Sequence, residues 1–165
     1  MTREEALRFL RMRQPMPDDH DLSDAEISLY DDARKFFLKN PTEEAVSLFL
    51  NSFGNGNGRG VYQLVEDVIT LHPPAVVVPS LVTALSSPVK SVQYWSAQIS
   101  ANFPHPDLIP PLEELLSKGD YDMKYAAITA LEQIPEESAS NVLRKALDVE
   151  PDEELREIIS DALLK

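Results

Sequence analysis

A repeat with a period of 31 to 32 residues constrains this chain more than any other feature. Three segments align, VYQLVEDVITLHP from Val61, VQYWSAQISANFP from Val92 and MKYAAITALEQIP from Met123, and each ends in proline. A shorter fourth copy, LREIISDALLK, begins at Leu155, so successive starts are 31, 31 and 32 residues apart. A period of this length is typical of stacked units, because one such unit cannot bury its apolar side alone.

Each copy predicts an amphipathic helix, because its apolar residues recur at helical spacing. Proline ends the helix at positions 73, 104 and 135, since it lacks the amide hydrogen and clashes with the preceding turn. Second helices of the same kind lie between the copies, with Pro79 and Pro110 expected near the starts of two of them. The repeating unit is therefore a helical hairpin, and the fold class is an all-α, right-handed α-solenoid.

Residues upstream of the repeats are predicted to form capping helices. The signals for helix starts are Thr2 with Glu5, Ser23 with Glu26, and Asn40 with Pro41 and Glu43. A linker, QPMPDDHD, separates the first two helices. The expected organisation is one domain over residues 1–165, with capping helices in 1–41 and repeats in 42–165.

The segment DYDMKYAAITALEQI, residues 120–134, resembles the HEAT-like repeats of phycobilin-lyase-type proteins: an aspartate-bearing turn precedes a helix with paired small residues and a leucine. The resemblance extends over roughly residues 42–165. Leu64, Val65 and Trp95 depart from it, since small residues are usual at those positions. Small bacterial HEAT proteins of this appearance include immunity proteins that neutralise toxins, and related stacks occur in bilin lyases and in DNA glycosylases.

The chain is strongly acidic, with a formal net charge of -13 that is concentrated in residues 105–165, which sum to -9. A field of this sign disfavours nucleic acid and anionic membrane surfaces, and it speeds encounter with a basic partner. The chain has no cysteine, which excludes disulfides and thiolate chemistry. No signal peptide or membrane span is evident at the N-terminus, so the expected location is the cytoplasm.

No motif for catalysis is evident, and we expect neither an enzyme nor a bound cofactor or metal. The histidines are scattered at positions 20, 72 and 105, and His72 is expected to pack at a helix end. The acidic linker residues around Asp19 lack calcium-loop spacing. The glycine-rich segment GNGNGRG, residues 54–60, suits either a phosphate cradle with Arg59 or a flexible joint between helices, and the joint is favoured.

The second helix of each HEAT hairpin usually lines the concave side, which places a candidate partner-binding surface on the proline-ended helices. Tyr94 and Tyr125 occupy equivalent positions of adjacent repeats, as hot-spot residues would. The alternative is that their rings pack over grooves between repeats. Trp95 is expected in the core. The candidate contact residues are Tyr62, Gln63, Glu66, Asp67, Tyr94, Gln98, Lys124, Tyr125 and Thr129.

These observations favour a non-enzymatic scaffold, monomeric when free, that holds a partner protein on its concave face. The resemblance and the acidity together point to an immunity protein that blocks a basic bacterial toxin. The alternative is a bilin lyase-like or other HEAT-type enzyme subunit. A glycosylase is disfavoured, because residues 41–104 contain only two basic residues, Arg59 and Lys90.

Overall fold

The structure, a computed structural model, describes all residues from 1 to 165 and is entirely helical. Its α-helices are α1 (Arg3–Met12), α2 (Asp24–Lys39), α3 (Glu43–Leu50), α4 (Glu66–Ile69), α5 (Pro74–Leu85), α6 (Lys90–Ser100), α7 (Ile109–Lys118), α8 (Tyr121–Gln133), α9 (Glu137–Val149) and α10 (Glu153–Leu163). Short 3-10 turns cover Gly58–Gly60, Tyr62–Val65 and Pro106–Leu108. The predicted all-α class is confirmed.

The helices form two layers. The odd-numbered helices α1, α3, α5, α7 and α9 pack side by side in one layer. In the other, α2 packs against α4, and α6, α8 and α10 pack in sequence; the two layers are hereafter the odd layer and the even layer. Short connections such as residues 86–89 make consecutive helices antiparallel neighbours, so helices within the even layer run in the same direction. This is the predicted solenoid of helical hairpins.

Helix α8 lies at the centre of the C-terminal hairpins and packs against α6, α7, α9 and α10. Ala126, Ala127 and Ala130 are fully buried in it, and such small side chains let neighbouring helices approach closely. The helix begins at Asp120, whose carboxylate accepts the amide of Met123 at 3.0 Å. The aspartate of the turn therefore begins the helix, and the small residues let it pack tightly against its neighbours.

The N-terminal residues supply the first hairpin of the stack. Helices α1 and α2 both begin with the predicted capping boxes, at Thr2 and Ser23. The expected start at Asn40 is wrong: Asn40 ends α2, and Thr42 is the N-cap of α3. Pro79 also lies inside α5 rather than near its start, because Pro73 and Pro74 already begin that helix.

The expected regular helix over residues 61–72 is wrong. Tyr62–Val65 forms a 3-10 turn, and only Glu66–Ile69 is α-helical. A 3-10 turn has three residues per turn, so side chains rotate further from one residue to the next than in an α-helix. Tyr62 therefore turns into the core and is 1% exposed, whereas Leu64, expected on the apolar side, is 39% exposed.

The glycine-rich loop, residues 54–60, is tied to the linker between α1 and α2. The Asp19 carboxylate accepts the amides of Asn57 at 3.0 Å and Gly58 at 2.9 Å, and the Asp18 carboxylate accepts the Asn55 amide at 3.2 Å. The Asp19 amide in turn donates to the Asn55 carbonyl at 2.9 Å. Successive amides of this kind form an anion-binding nest. The predicted flexible joint is thus held by hydrogen bonds, and its nest contains a carboxylate of the same chain.

Three glycines with positive φ, Gly56, Gly58 and Gly60, make this loop possible. Gly56 has φ of 115° and Gly58 has φ of 57°, both in the left-handed region that L-residues rarely adopt. A Cβ atom on Gly58 would lie 2.5 Å from a ring carbon of Tyr62. Arg59 links the loop to the start of α2, since its guanidinium pairs with Asp24 and donates to the carbonyl of Leu22 at 2.6 Å.

Buried aromatic rings hold the irregular segment against its neighbours. Tyr30 of α2 packs edge-on against Phe49 and Tyr62, and Tyr62 packs edge-on against Phe53. The Tyr30 hydroxyl and Ser52 hydroxyl are 2.7 Å apart, and the Tyr62 hydroxyl accepts the Gly54 amide at 3.3 Å. Burial raises the pKa of Tyr30 above its ordinary range and the pKa of Tyr62 to about 12.

The buried tyrosines predict a loss of stability in alkaline solution. A tyrosine that ionises more readily unfolded than folded stabilises the fold below the unfolded pKa of about 10, and this contribution is lost as the pH rises. For Tyr62 the loss falls between about pH 10 and pH 12, and the two-unit shift corresponds to about 3 kcal/mol. Urea unfolding at a series of alkaline pH values measures it. Tyr62→Phe should make the pH profile shallower, and an unchanged slope would contradict the assignment.

Gly58→Ala should destabilise the protein by about 2 to 3 kcal/mol, because it combines a left-handed backbone with a clash against the buried Tyr62 ring. Gly60→Ala is the matched control: its φ is 89°, but the nearest atom to an added Cβ, the Gln63 side-chain nitrogen, is 4.0 Å away. The control should lose about 1 kcal/mol from backbone strain alone. Equal losses of unfolding free energy in urea would show that the Tyr62 contact adds nothing.

Candidate protein-binding surface

The solvent side of α6, α8 and α10 forms one continuous surface in the even layer, hereafter the even face. Tyr94 and Gln98 lie one turn apart on α6, and Tyr121, Tyr125 and Thr129 lie one turn apart on α8. Because the helices run in the same direction, these side chains form rows across adjacent repeats. Tyr94 and Tyr125 lie on adjacent helices of this layer, and the column that the repeat alignment predicts for them stays a prediction.

The two predicted tyrosines differ in exposure. Tyr125 is 44% exposed, and the adjacent Thr129 donates its hydroxyl to the Tyr125 carbonyl at 3.0 Å. Tyr94 is half-buried, packs edge-on against Trp95 with ring centroids 5.2 Å apart, and accepts the Gln98 side-chain amide at 3.1 Å. Tyr125 is therefore a free aromatic surface, whereas Tyr94 is fixed by its neighbours.

Lys124 is engaged inside the molecule. Its ammonium lies 2.8 Å from the carboxylate of Glu150, and the two side chains are only 18% and 5% exposed. Glu150 also accepts the Asp152 amide at 3.2 Å, just before α10. A buried pair of this kind costs several kcal/mol to break, so Lys124 fixes α8 to the turn between α9 and α10. Its expected position as a free contact residue is wrong for this reason.

The four candidate contact residues from the first repeat copy do not line up on one helix face. They are Tyr62, Gln63, Glu66 and Asp67. Tyr62 is buried among aromatic rings, so its expected exposure is wrong. Gln63 and Asp67 are exposed and Glu66 is half-buried. They lie on the 3-10 turn and on α4, which packs against α2. These three residues remain accessible in the even layer, but without the helical register of α6 and α8.

A groove opens between the glycine-rich loop and the first turns of α6 and α8, and we name it the aromatic groove. Its volume is about 360 Å³, and its lining residues are Asn55, Gly56, Asn57, Lys90, Ser91, Tyr94, Trp95, Asp120, Asp122 and Met123. The Trp95 indole donates to the Gly56 carbonyl at 3.2 Å and stacks on Phe53 with centroids 5.6 Å apart. Trp95 was expected in the core, but its ring is only half-buried and also lines this groove.

Sequence reasoning missed the aromatic groove because its walls come from distant segments. The loop at Gly56 and helix α6 meet through a contact between residues 39 positions apart. The only local signal was the concentration of four glycines in residues 54–60, which indicates a close backbone approach but not its target.

Acidic side chains lie beside Tyr121 of α8 and along α10. Asp122, Glu153, Glu154, Glu157 and Asp161 are exposed on α8 and α10. The Glu154 carboxylate lies beside the Tyr121 hydroxyl and raises the pKa of Tyr121 to about 12. Glu132 is paired with Lys165 at 2.6 Å. The surface thus combines aromatic rings with an excess of carboxylates over basic side chains.

The polar groups elsewhere have local roles. His20 lies 3.1 Å from Asp21, and His105 accepts the Asp107 amide at 3.1 Å. His72 is buried at the end of the irregular segment, as expected, with its Nε2 atom unpaired. No group of three or more histidine, aspartate or glutamate residues is positioned to hold a metal ion. Asp18 and Asp19 instead bind the loop amides.

None of the helices combines the length and the apolar composition that are needed to cross a bilayer. Comparison with known proteins gives a match to the family model for HEAT repeats over residues 78–163, from the middle of α5 to the end of α10. No curated protein matches the chain. Because the family match covers more than half of the sequence and its helices stack as paired layers, the chain belongs to the HEAT repeat family.

Proposed function

We propose that this protein is a non-enzymatic scaffold that binds one partner protein on its even face. HEAT repeats are commonly protein-interaction scaffolds, because stacked hairpins present an extended surface that is already ordered before binding. The observation that supports the proposal most directly is the exposed Tyr125 ring on α8, one turn from Tyr121, whose hydroxyl lies beside the Glu154 carboxylate of α10. Aromatic side chains of this kind dominate binding energy at protein interfaces.

The partner's chemistry follows from the charge of this surface. Carboxylates of α8 and α10 attract lysine and arginine, and the rings of Tyr94, Trp95 and Tyr125 offer faces on which cations stack. The aromatic groove is large enough for one long side chain. We therefore propose a partner with a basic surface, of which one arginine or lysine enters the aromatic groove.

Tyr125→Ala tests the even face. Affinity for the partner should fall by about 1 to 4 kcal/mol, because an exposed aromatic anchor is removed, while the melting temperature changes little. The measurement is titration calorimetry with the protein that co-purifies with the full chain. Tyr94→Ala should weaken binding too, but with lower stability, since Tyr94 contacts Trp95 and Gln98.

Glu113→Ala provides the control, because Glu113 is exposed on α7 in the odd layer. It should leave both affinity and stability unchanged. If Tyr125→Ala binds as tightly as the unaltered chain, the even face is not the binding surface. If Glu113→Ala weakens binding instead, the partner occupies the odd layer.

The specific role that we propose is that of an immunity protein in the bacterial cytoplasm, which blocks a basic toxin domain by covering it. The acidity of the chain supports this role, since a basic toxin such as a nuclease would be attracted over long range. The free protein is proposed to be a monomer.

This role predicts that a gene adjacent to the one for this chain encodes a toxin with a basic domain. Co-expression should suppress the toxicity of that domain, and the association rate should fall steeply with ionic strength because it is electrostatically steered. A neighbouring toxin that still kills cells in the presence of this chain would refute the immunity role. A visible absorption shift on incubation with bilin would instead support a lyase-like subunit.

A further inference from the structure

The glycine-rich loop contains two Asn-Gly sequences, Asn55-Gly56 and Asn57-Gly58, which differ in their hydrogen bonds. In such sequences the backbone nitrogen of glycine can attack the side-chain carbonyl carbon of asparagine, because glycine has no side chain to hinder the approach. Asparagine is for this reason among the chemically labile residues of proteins. Both asparagines are exposed, so solvent reaches both.

The second sequence is held in an unreactive arrangement. The amide of Gly58, which is the nucleophile, donates to the Asp19 carboxylate at 2.9 Å. The side-chain oxygen of Asn57 accepts the Gly60 amide at 3.0 Å. Attack would require the Gly58 nitrogen to lose its proton beside a carboxylate and the Asn57 side chain to leave its partner. Hydrogen bonds to charged groups are the strong ones, so this site is protected.

Asn55-Gly56 has neither of the two hydrogen bonds that protect Asn57-Gly58. The Gly56 amide makes no hydrogen bond, and the Asn55 side chain makes none either. Only the backbone of Asn55 is held, through its amide to Asp18 and its carbonyl to Asp19. Gly56 itself has φ of 115°, in a region that only glycine adopts readily.

We propose that Asn55, and not Asn57, is a site of spontaneous deamidation in the folded protein. The Gly56 nitrogen loses its proton to solvent base and bonds to the side-chain carbonyl carbon of Asn55, and ammonia leaves with a proton from solvent. The product is a five-membered succinimide. Water then opens either carbonyl of the ring and gives aspartate or isoaspartate, so that one water is consumed and one ammonia released overall.

The product changes the wall of the aromatic groove. A carboxylate replaces a neutral amide next to Asp18, whose carboxylate already accepts the Asn55 amide at 3.2 Å. Isoaspartate also inserts an additional carbon into the main chain between the Asn55 amide and the Gly56 carbonyl. The hydrogen bond from Trp95 to Gly56 and the bond from Asp19 to Asn55 cannot both keep their geometry. The modification thus alters the groove whether or not the groove binds a protein.

The test is incubation of the purified full chain in mildly alkaline buffer, below its melting temperature, followed by proteolysis and fragment mass spectrometry at intervals. Asn55 should convert to aspartate and isoaspartate, and Asn57 should convert at least about tenfold more slowly, because its nucleophile is bound to a carboxylate. The same segment as an unfolded peptide should convert at both positions at comparable rates. Fluorescence from Trp95, the single tryptophan, should change in step with Asn55 conversion.

Asp19→Ala should accelerate Asn57 conversion to a rate comparable with that of Asn55, because it frees the Gly58 amide. Asp18→Ala is the matched control, since it removes a neighbouring carboxylate that contacts Asn55 only, and Asn57 should stay slow. Conversion of Asn57 as fast as Asn55 in the unaltered chain would overturn the proposal, as would an Asn55 that reacts far more slowly than in the peptide. The comparison within the unaltered chain stands even where Asp19→Ala fails to fold.

Discussion

Burial of apolar faces between neighbouring hairpins is the constraint on which the rest of this structure depends. No helix pair here encloses a core by itself, and α8 buries its surface only because α6, α7, α9 and α10 surround it. Its fully buried alanines, Ala126, Ala127 and Ala130, bring these helices close enough for dense packing. The same constraint leaves one side of each even-layer helix in water, so the packing that makes the fold also creates the even face.

The N-terminal half satisfies this constraint by different means. Between α3 and α5 the chain lacks a long helix, and the gap is filled by the rings of Phe53, Tyr62 and Trp95. Aromatic pairs with edge-on geometry contribute about 0.5 to 1.5 kcal/mol each beyond their buried area. The Asp19 carboxylate then holds the loop amides that an α-helix would have satisfied internally. Aromatic packing and a linker carboxylate together replace a regular repeat helix.

The repeat period was sufficient to predict the paired helices from α5 to α10, because the apolar spacing within those segments is local and regular. It failed at residues 61–72, where the sequence has the same period but forms a 3-10 turn. That outcome depends on Tyr30 and Trp95, which lie far away in the sequence. Lys124 illustrates the same limit: its position on a helix is predictable, but its partner Glu150 is 26 residues away. In the regular helices, local patterns specify which residues face outward, whereas the partners of polar residues depend on how the hairpins stack.

On the proposed function, the even face makes two physically different contributions to binding. The carboxylates of α8 and α10 act over a distance and are screened by salt, so they govern mainly how fast a basic partner arrives. The rings of Tyr94 and Tyr125 act only at contact, so they govern mainly how long the partner stays. Because Trp95 and Gln98 already hold Tyr94, its ring is in place before binding and little conformational entropy is lost there. A rigid solenoid that presents aromatic side chains within an acidic field is therefore suited to fast and tight binding of a basic protein through a small surface.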